Sequence, residues 1–496
     1  MNRLFRFYRS MVLLMVVIAL SGATGLVGLS GSQAASHGVV EGANLYLPLV
    51  LRDYPWPNPF GVEVTGPITS GSILLDRATE LRLGWVRLND RISWREMQPV
   101  EGGPIQWDLP DVLTLEDELR ALKAAGMTPI VIVDDYPLWA VELARSDGQL
   151  TSCGPLKEEY FDEFAAFVGQ LVQRYSAVEF NVHNWEFGNE PDVDPDLVPL
   201  NNVFGCWGDI DDPFYGGQRY GNMLKMVSPV IRQQDSAAVI WIGGLLLANP
   251  NSPSYAGKPE WFLKGILEAG AAPYFDIVPY HFYPSYSGTS KDYDLYGNNV
   301  WNTLGGGTVG KARYLRQLMQ EYGVEKPVFL NETGLGCMVN EVPGGYGCTS
   351  GTDPLFEQAQ ADYIVRSFLR GLNEPISGFV WYTLNGVGWR YTGLLRADGT
   401  RKPVYLAYQN MINQLHGAKL IGAVTYSTAI EAYEFRVNNR KVQVVWAIAN
   451  TTEEISIPQS QFEAAFDLYG NTLTPTLIDG AYHLDVGFSP VFVVLK

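Results

Sequence analysis

Short apolar runs alternate with longer amphipathic segments along the chain from Phe60 to about residue 416. Several runs are continuously apolar, as in Ile130-Val131-Ile132-Val133, which is typical of parallel strands covered on both faces. The pattern predicts strands at 61–64, 85–89, 129–134, 180–186, 239–244, 275–282, 327–331 and 378–383. Helices are predicted between them, including 113–125, 158–175, 220–234, 260–270, 312–322 and 356–372, with a last one near 405–415. This repeated β-α order predicts an α/β fold, a (β/α)8 TIM barrel with loop insertions.

The pattern changes after His416, where apolar and polar residues alternate in short segments separated by turn residues, as in Tyr433-Glu434-Phe435. Such alternation is typical of antiparallel strands with one face buried. We therefore predict a barrel over residues 59–416 and a small all-β sandwich over residues 417–496. The second domain is interpreted either as a structural module packed on the barrel or as a separate sugar-binding module.

The N-terminus has the pattern of an export signal. Arg3, Arg6 and Arg9 precede an apolar run from Met11 to Leu20, and small residues follow. We predict a signal peptide over residues 1–34, a tether over residues 35–58 and a secreted protein, with an uncleaved anchor as the alternative. The later sequence contains no apolar stretch of about 18 residues, so no stable membrane insertion is expected after the signal is removed.

Composition narrows the range of partners. The chain has 496 residues, of which 53 are acidic and 35 basic, giving a formal net charge of −18. Nucleic acid is therefore not an expected partner. Aromatic residues make up 12% of the chain, including 13 Trp and 27 Tyr, which suits a cleft where flat rings stack on sugar faces.

The cysteines predict disulfides rather than a metal site. Cys337 and Cys348 lie in one Gly-rich loop, and Cys153 and Cys206 lie in the loops after the third and fourth predicted strands. Pairing within these two sets is favoured among the three possible connectivities, and four free thiols are the alternative. No CxxC pair occurs and the five His are scattered, so neither a metal nor another cofactor is expected.

Two carboxylates carry the candidate chemistry. Glu190 follows the fourth predicted strand in Asn189-Glu190-Pro191, and Glu332 follows the seventh. In βα barrels the carboxyl ends of the strands face a common cleft, so these distant residues are expected to converge. Glycosidic bond cleavage needs such a pair, because one group protonates the departing oxygen while the other attacks the sugar or activates water.

The segments Trp185 to Pro191 and Asn331 to Gly334 resemble the clan A retaining glycoside hydrolases, and the barrel-plus-sandwich layout is most like glycoside hydrolase family 39 and its relatives. The resemblance implies that Glu190 is the acid/base and Glu332 the nucleophile. It also implies that Arg87 holds Glu332 ionised and that Asn189 hydrogen-bonds the sugar 2-hydroxyl.

Three further positions match the same resemblance. His281 and Tyr283 resemble the clan's His-x-Tyr on the sixth strand, where the Tyr hydroxyl orients the nucleophile. Trp381 matches the tryptophan on the eighth strand that lines the floor of the sugar site. Glu186, in contrast, lies inside its strand and is not expected to be catalytic.

The sequence thus predicts a secreted retaining glycoside hydrolase that cleaves a polysaccharide or oligosaccharide. The two carboxyl groups are expected about 5–5.5 Å apart, with Glu332 ionised and Glu190 protonated. The alternatives are a catalytically inactive sugar-binding protein on the same scaffold and a transglycosylase that uses the same residues.

Overall fold

The computed structural model describes residues 58–200, 204–247, 259–295, 300–339, 348 and 350–496, except for the side chains of Asp90, Arg91 and Pro259. The predicted signal peptide and all of the predicted tether except Asn58 lie outside the described residues. None of the helices in these ranges is long and apolar enough to cross a membrane.

Within the described ranges, eight parallel strands form one sheet in the order β5-β4-β3-β2-β1-β8-β7-β6. Single parallel bridges, from residue 241 to 277 and from residue 245 to 280, close the sheet between β5 and β6. The predicted TIM barrel is confirmed. The strands are β1 (Phe60–Val64), β2 (Trp85–Ser93), β3 (Thr128–Asp134), β4 (Asn184–Asn189), β5 (Val239–Gly244), β6 (Val278–Phe282), β7 (Val328–Thr333) and β8 (Phe379–Trp381).

Helices connect the strands and cover the outside of the barrel. They bury the outward-facing side chains, which explains why the strands are apolar on both faces. The helices are α1 (Ile73–Leu81), α2 (Trp94–Met97), α3 (Pro110–Ala124), α4 (Phe161–Tyr175), α5 (Gly217–Gln234), α6 (Phe262–Glu268), α7 (Gly307–Glu321), α8 (Pro354–Asn373) and α9 (Pro403–Leu415).

The fourth strand differs most from its prediction. It begins at Asn184 rather than at Phe180, because the chain turns after α4: the Phe180 N–H donates to the Ala177 carbonyl and Asn181 adopts φ 61°. The strand ends at Asn189, and Glu190 is the first residue beyond it.

The interior of the barrel is divided into layers. At the amino-terminal end of the strands, Trp85, Trp241 and Phe329 meet edge to face with ring centroids 4.8–6.0 Å apart. Gly61 makes room for this plug, since a Cβ there would lie 2.7 Å from that of Trp85. Two residues further toward the carboxyl ends of β1 and β2, the inward-facing side chains are charged, and the candidate site begins there.

The carboxy-terminal residues form two antiparallel sheets. Over residues 417–496, all of which are described, one sheet has the order β14-β13-β17-β11-β10-β9 and the other β12-β16-β15. Apolar side chains between the two sheets form a separate core, and the opposite face of the larger sheet packs on the barrel's core. The predicted sandwich is confirmed. Its strands are β9 (Lys419–Ala423), β10 (Ile430–Val437), β11 (Arg440–Ala447), β12 (Glu453–Pro458), β13 (Phe462–Phe466), β14 (Thr472–Leu473), β15 (Thr476–Ile478), β16 (Ala481–Val486) and β17 (Val491–Leu495).

Two disulfides fasten the loops around the mouth of the barrel. Cys153 pairs with Cys206 at a Cα–Cα distance of 5.4 Å, and Cys337 pairs with Cys348 at 5.6 Å. The predicted connectivity is confirmed. The first bond joins the loops after β3 and β4, so it fixes the loop that follows Glu190.

Candidate active site

Glu190 and Glu332 meet at the mouth of the barrel. Glu190 directly follows β4 with φ 49°, and its N–H donates to the Gly244 carbonyl at 2.9 Å, while Glu332 lies in β7. A carboxylate oxygen of each residue and a ring nitrogen of His281 all lie within 4.8 Å of one another. The structure therefore brings together two carboxylates that are 142 positions apart in the sequence.

Exposure separates these two carboxylates from the others nearby. The side chains of Glu190 and Glu332 are 13% and 10% exposed, whereas those of Glu63, Arg87 and Glu186 are fully buried. A ligand in the cleft can therefore touch Glu190 and Glu332. The charged groups below can act on it only through their neighbours.

Arg87 on β2 is the centre of the buried layer. Its Nε and Nη2 donate to the two oxygens of Glu186 at 2.9 Å each, and Nη2 also donates to the Asn189 side-chain oxygen at 2.6 Å. Its Nη1 donates to Glu63 at 2.5 Å and to Glu332 at 2.9 Å. One guanidinium thus orients both the nucleophile candidate and the Asn that precedes the acid/base candidate.

Glu332 makes the contacts that the sequence predicts, but its protonation differs from the prediction. Arg87 donates to Oε2 and the Tyr283 hydroxyl donates to Oε1. Burial nevertheless raises the pKa of Glu332 to about 7, because desolvation of the carboxylate, together with the repulsion of Glu63, outweighs the attraction of His281 and Arg87. Glu332 is therefore not firmly ionised at neutral pH.

His281 lies between the two carboxylates. Its Nδ1 hydrogen-bonds Oε1 of Glu190 at 2.9 Å, and its Nε2 lies 3.5 Å from Oε2 of Glu332. Burial lowers the pKa of His281 to about 4, so the ring is neutral at pH 7. A neutral ring carries one proton, and it can donate to Glu190 or accept the Glu190 proton at Nδ1. Within this cluster His281 is hydrogen-bonded to Glu190, and we assign no metal to it.

The backbone of His281 is held by a buried lysine. Lys311 on α7 donates to the carbonyls of His281 and Leu246 at 2.7 and 2.6 Å, and burial lowers its pKa to about 8. Gly244 leaves the space that the imidazole occupies, since a Cβ there would overlap the ring. The ends of β5 and β6 and the start of α7 thus fix the ring together.

The prediction that Trp381 lines the floor of the sugar site is wrong. Trp381 is fully buried outside the barrel, where it packs against Tyr363 and Phe368 of α8. Strand side chains alternate between faces, and Val380 belongs to the interior plug, so Trp381 must face outward. The next residue, Tyr382, lies edge to face with Tyr283 at a ring-centroid distance of 6.1 Å. Trp389 also meets Tyr283 edge to face, at 5.1 Å.

Sequence reasoning missed Glu63 and the structural importance of Glu186. Both lie inside strands whose neighbouring residues are mostly apolar, as in Phe60-Gly61-Val62-Glu63-Val64. A charge at such a position is tolerated only with a buried partner, and Arg87 supplied the opposite sign on the adjacent strand. The sequence therefore indicates a buried ion pair between these strands. It does not indicate that Glu63 and Glu332 accept from the same nitrogen of Arg87.

No protein-family model matches the sequence, and no curated protein does. The fold, however, is similar to that of solved glycoside hydrolases. A family 39 glycoside hydrolase from the gut symbiont Bacteroides cellulosilyticus WH2 is 18% identical with a TM-score of 0.63, covering 88% of this chain and 81% of that chain. A family 39 β-xylosidase from Caulobacter crescentus is 16% identical with a TM-score of 0.55, covering 88% and 96%. A family 30 endoxylanase from Clostridium papyrosolvens C71 is 13% identical with a TM-score of 0.57, covering 88% and 96%.

These identities establish the fold and not the activity. The resemblance to family 39 and its relatives, inferred from short motifs around Glu190 and Glu332, is confirmed for the architecture of the chain.

Proposed function

We propose that this protein is an exported retaining glycoside hydrolase that acts on a polysaccharide or oligosaccharide, with Glu332 as nucleophile and Glu190 as acid/base. One observation carries the proposal: of the carboxylates around Arg87 and His281, only these two reach the cleft, and an oxygen of each lies within 4.8 Å of the other. The carbohydrate activities in the names of the structural neighbours support the same class of substrate. Two disulfides support an oxidising, extracellular location.

In the first step Glu190 gives its proton to the glycosidic oxygen while an oxygen of Glu332 attacks the anomeric carbon. The bond to the leaving group breaks and an ester joins the sugar to Glu332. In the second step Glu190, now a carboxylate, takes a proton from water as that water attacks the same carbon. The ester bond breaks, Glu332 becomes a carboxylate again, and the sugar leaves with its original configuration.

The close approach of the carboxylates supports retention. Inverting enzymes need about 6.5–9.5 Å between carboxyl groups to hold a water, and retaining enzymes need about 5–5.5 Å. Asn189 supports substrate binding, because Arg87 takes its side-chain oxygen and leaves the amide N–H groups to donate to a sugar hydroxyl. The hydroxyl of Tyr283, whose pKa is raised by burial, stays protonated and continues to donate to Glu332.

The stereochemical outcome tests this proposal directly. We expect early-time proton NMR on a panel of oligosaccharides to show the first product with the anomeric configuration of the substrate. A product of opposite configuration would overturn the retaining assignment. No product from any glycan, combined with saturable binding in calorimetry, would indicate a sugar-binding protein instead. Products longer than the substrate would indicate transfer to a second sugar.

The loss of rate on removing the acid/base should depend on the leaving group. Glu190→Ala should slow hydrolysis of natural glycans by about 10²–10⁴-fold, since the departing oxygen then leaves unprotonated. Aryl glycosides with acidic phenols need little protonation and should lose much less in the first step. The measurement is a series of aryl glycosides of graded phenol pKa, compared in wild type and variant. Equal losses across the series would contradict the role of Glu190.

A further inference from the structure

The buried layer beneath Glu332 has more carboxylates than its arginine can neutralise. Glu186 accepts two hydrogen bonds from Arg87, one at each carboxylate oxygen. Its Oε1 also accepts from the Asn331 amide and the Gly244 N–H at 2.9 and 3.0 Å. With four donors around it, Glu186 is a fully satisfied partner that already balances the charge of Arg87.

Glu63 and Glu332 share the remaining nitrogen of the Arg87 guanidinium. Both accept from the same nitrogen, Nη1 of Arg87, at 2.5 and 2.9 Å through their Oε2 atoms. The other oxygen of Glu63 accepts from the Asn89 amide. The backbone of Glu63 is also fixed, because its carbonyl accepts from the Thr383 hydroxyl at 2.7 Å and the Leu384 N–H at 2.8 Å. These two bonds fix the backbone of Glu63 to the residues that follow β8.

Charge counting shows the consequence of this arrangement. If ionised together, Glu63, Glu186 and Glu332 bring three negative charges to one guanidinium. Two carboxylates on one nitrogen repel each other strongly in a buried site, so ionising one opposes ionising the other.

We propose that Glu63 is a positioning residue that controls the ionisation of the nucleophile by sharing the Nη1 group of Arg87 with it. This inference rests on the proposed function, in which the ionised form of Glu332 attacks the sugar. It assigns to β1 a role in catalysis without substrate contact, since Glu63 is fully buried. The shared nitrogen would keep Glu332 partly protonated in the free enzyme. The fall of kcat/KM on the acidic side of its pH profile, the acidic limb, would then lie near neutral pH.

Other groups also face Glu332 and must be kept unchanged in a test. The titratable and charged groups packed around it are Glu63 on β1, Arg87 on β2, Glu186 and Glu190 on and after β4, and His281 and Tyr283 on and after β6. Lys311 on α7 acts through the carbonyl of His281. Among these, Glu63 has a near-isosteric neutral replacement, and its side chain is fully buried and so does not contact the proposed substrate.

The test is Glu63→Gln. Its amide oxygen can accept from Arg87, and a rotated Asn89 amide can accept from its N–H, so the contacts are kept while one charge is lost. We expect the acidic limb of kcat/KM to move to lower pH by about one unit. Asn89→Asp, which adds a negative charge beside Glu63, should move the limb to higher pH. A loss of activity with an unmoved limb in both variants would show a merely structural role and overturn the inference.

A second readout does not require turnover. A carboxyl whose folded pKa is raised keeps its proton where the unfolded chain has lost it. Burial raises the pKa of Glu332 to about 7, so this group makes stability fall as pH rises from about 4.5 to 7. Glu63→Gln should flatten that fall in Tm. If wild type hydrolyses no glycan, the proposed function fails but this comparison still tests Glu63.

Asp362→Asn is the matched control. Asp362 on α8 is buried away from the site, beside Gln358, and burial raises its pKa to about 6. Its replacement should also flatten the fall in Tm, between about pH 4 and 6, but should leave the acidic limb of activity in place. If the acidic limb of kcat/KM shifted as far in Asp362→Asn as in Glu63→Gln, the inference would be overturned, because removing any buried carboxylate would then have the same effect.

Discussion

Glu332→Ala is expected to reduce kcat by about 10⁴-fold or more, with the fold intact. The reason is that the other carboxylates that Arg87 contacts cannot form the ester in its place, because Glu63 and Glu186 are fully buried. Removal of Glu332 also relieves the repulsion on Glu63, so stability should not fall sharply. The measurement is single-turnover hydrolysis of an activated aryl glycoside, with Tm measured alongside.

Azide separates the two carboxylates in the same experiment. In Glu332→Ala, azide can enter the vacated space and attack the sugar once, giving a glycosyl azide of inverted configuration. In Glu190→Ala it should attack the ester on Glu332 and give the retained configuration. Glu159→Ala, at an exposed position before α4, serves as the control and should keep wild-type kcat. Wild-type kcat in Glu332→Ala would refute the assignment of the nucleophile.

Arg87→Met is expected to destabilise the protein by about 3–5 kcal/mol at pH 7, because it leaves buried carboxylates without their counter-ion. Three of them contact Arg87 directly, and two are fully buried. The cost should shrink as the pH falls from 7 toward about 4.5, since the unfolded chain then also carries the protons that carboxyls buried without a counter-ion take up. Urea unfolding followed by tryptophan fluorescence at several pH values measures both effects.

The control for that change is Arg440→Met in the carboxy-terminal domain. Arg440 is 55% exposed and pairs with Glu463, which is 38% exposed. Exposed ion pairs contribute little, so its loss should cost less than about 1 kcal/mol and vary little with pH. If Arg87→Met were as mild as Arg440→Met, the buried layer would not depend on its arginine for stability.

The order of elements and the position of the proposed catalytic pair could be predicted from the sequence. Continuous apolar strands alternating with amphipathic helices leave few arrangements that bury both sheet faces, and the closed barrel is the arrangement observed. Glu190 and Glu332 followed from this, because strand ends of a barrel share one cleft. The disulfides followed too, because the loops that carry Cys153 and Cys206 come from adjacent strands.

The prediction for Trp381 failed on which face of its strand the side chain occupies. The resemblance places Trp381 at the sugar site, yet its neighbour Val380 faces the barrel interior and side chains alternate along a strand. The face of an eighth strand is hard to assign from sequence when both faces are apolar, because hydrophobicity then carries no information about direction. Tyr382, one residue later, is the side chain that reaches Tyr283.

The sequence by itself determined the fold class, the strand ends that carry Glu190 and Glu332, and the pairing of the cysteines, because each depends on the period and spacing of residue types along the chain. Only the tertiary structure decided which carboxylates share Arg87 and how strongly Glu332 holds its proton. These depend on distances between strands that are remote in sequence and on the exclusion of water around them. Glu63 and Glu332 are 269 residues apart in the chain, yet they accept from the same nitrogen.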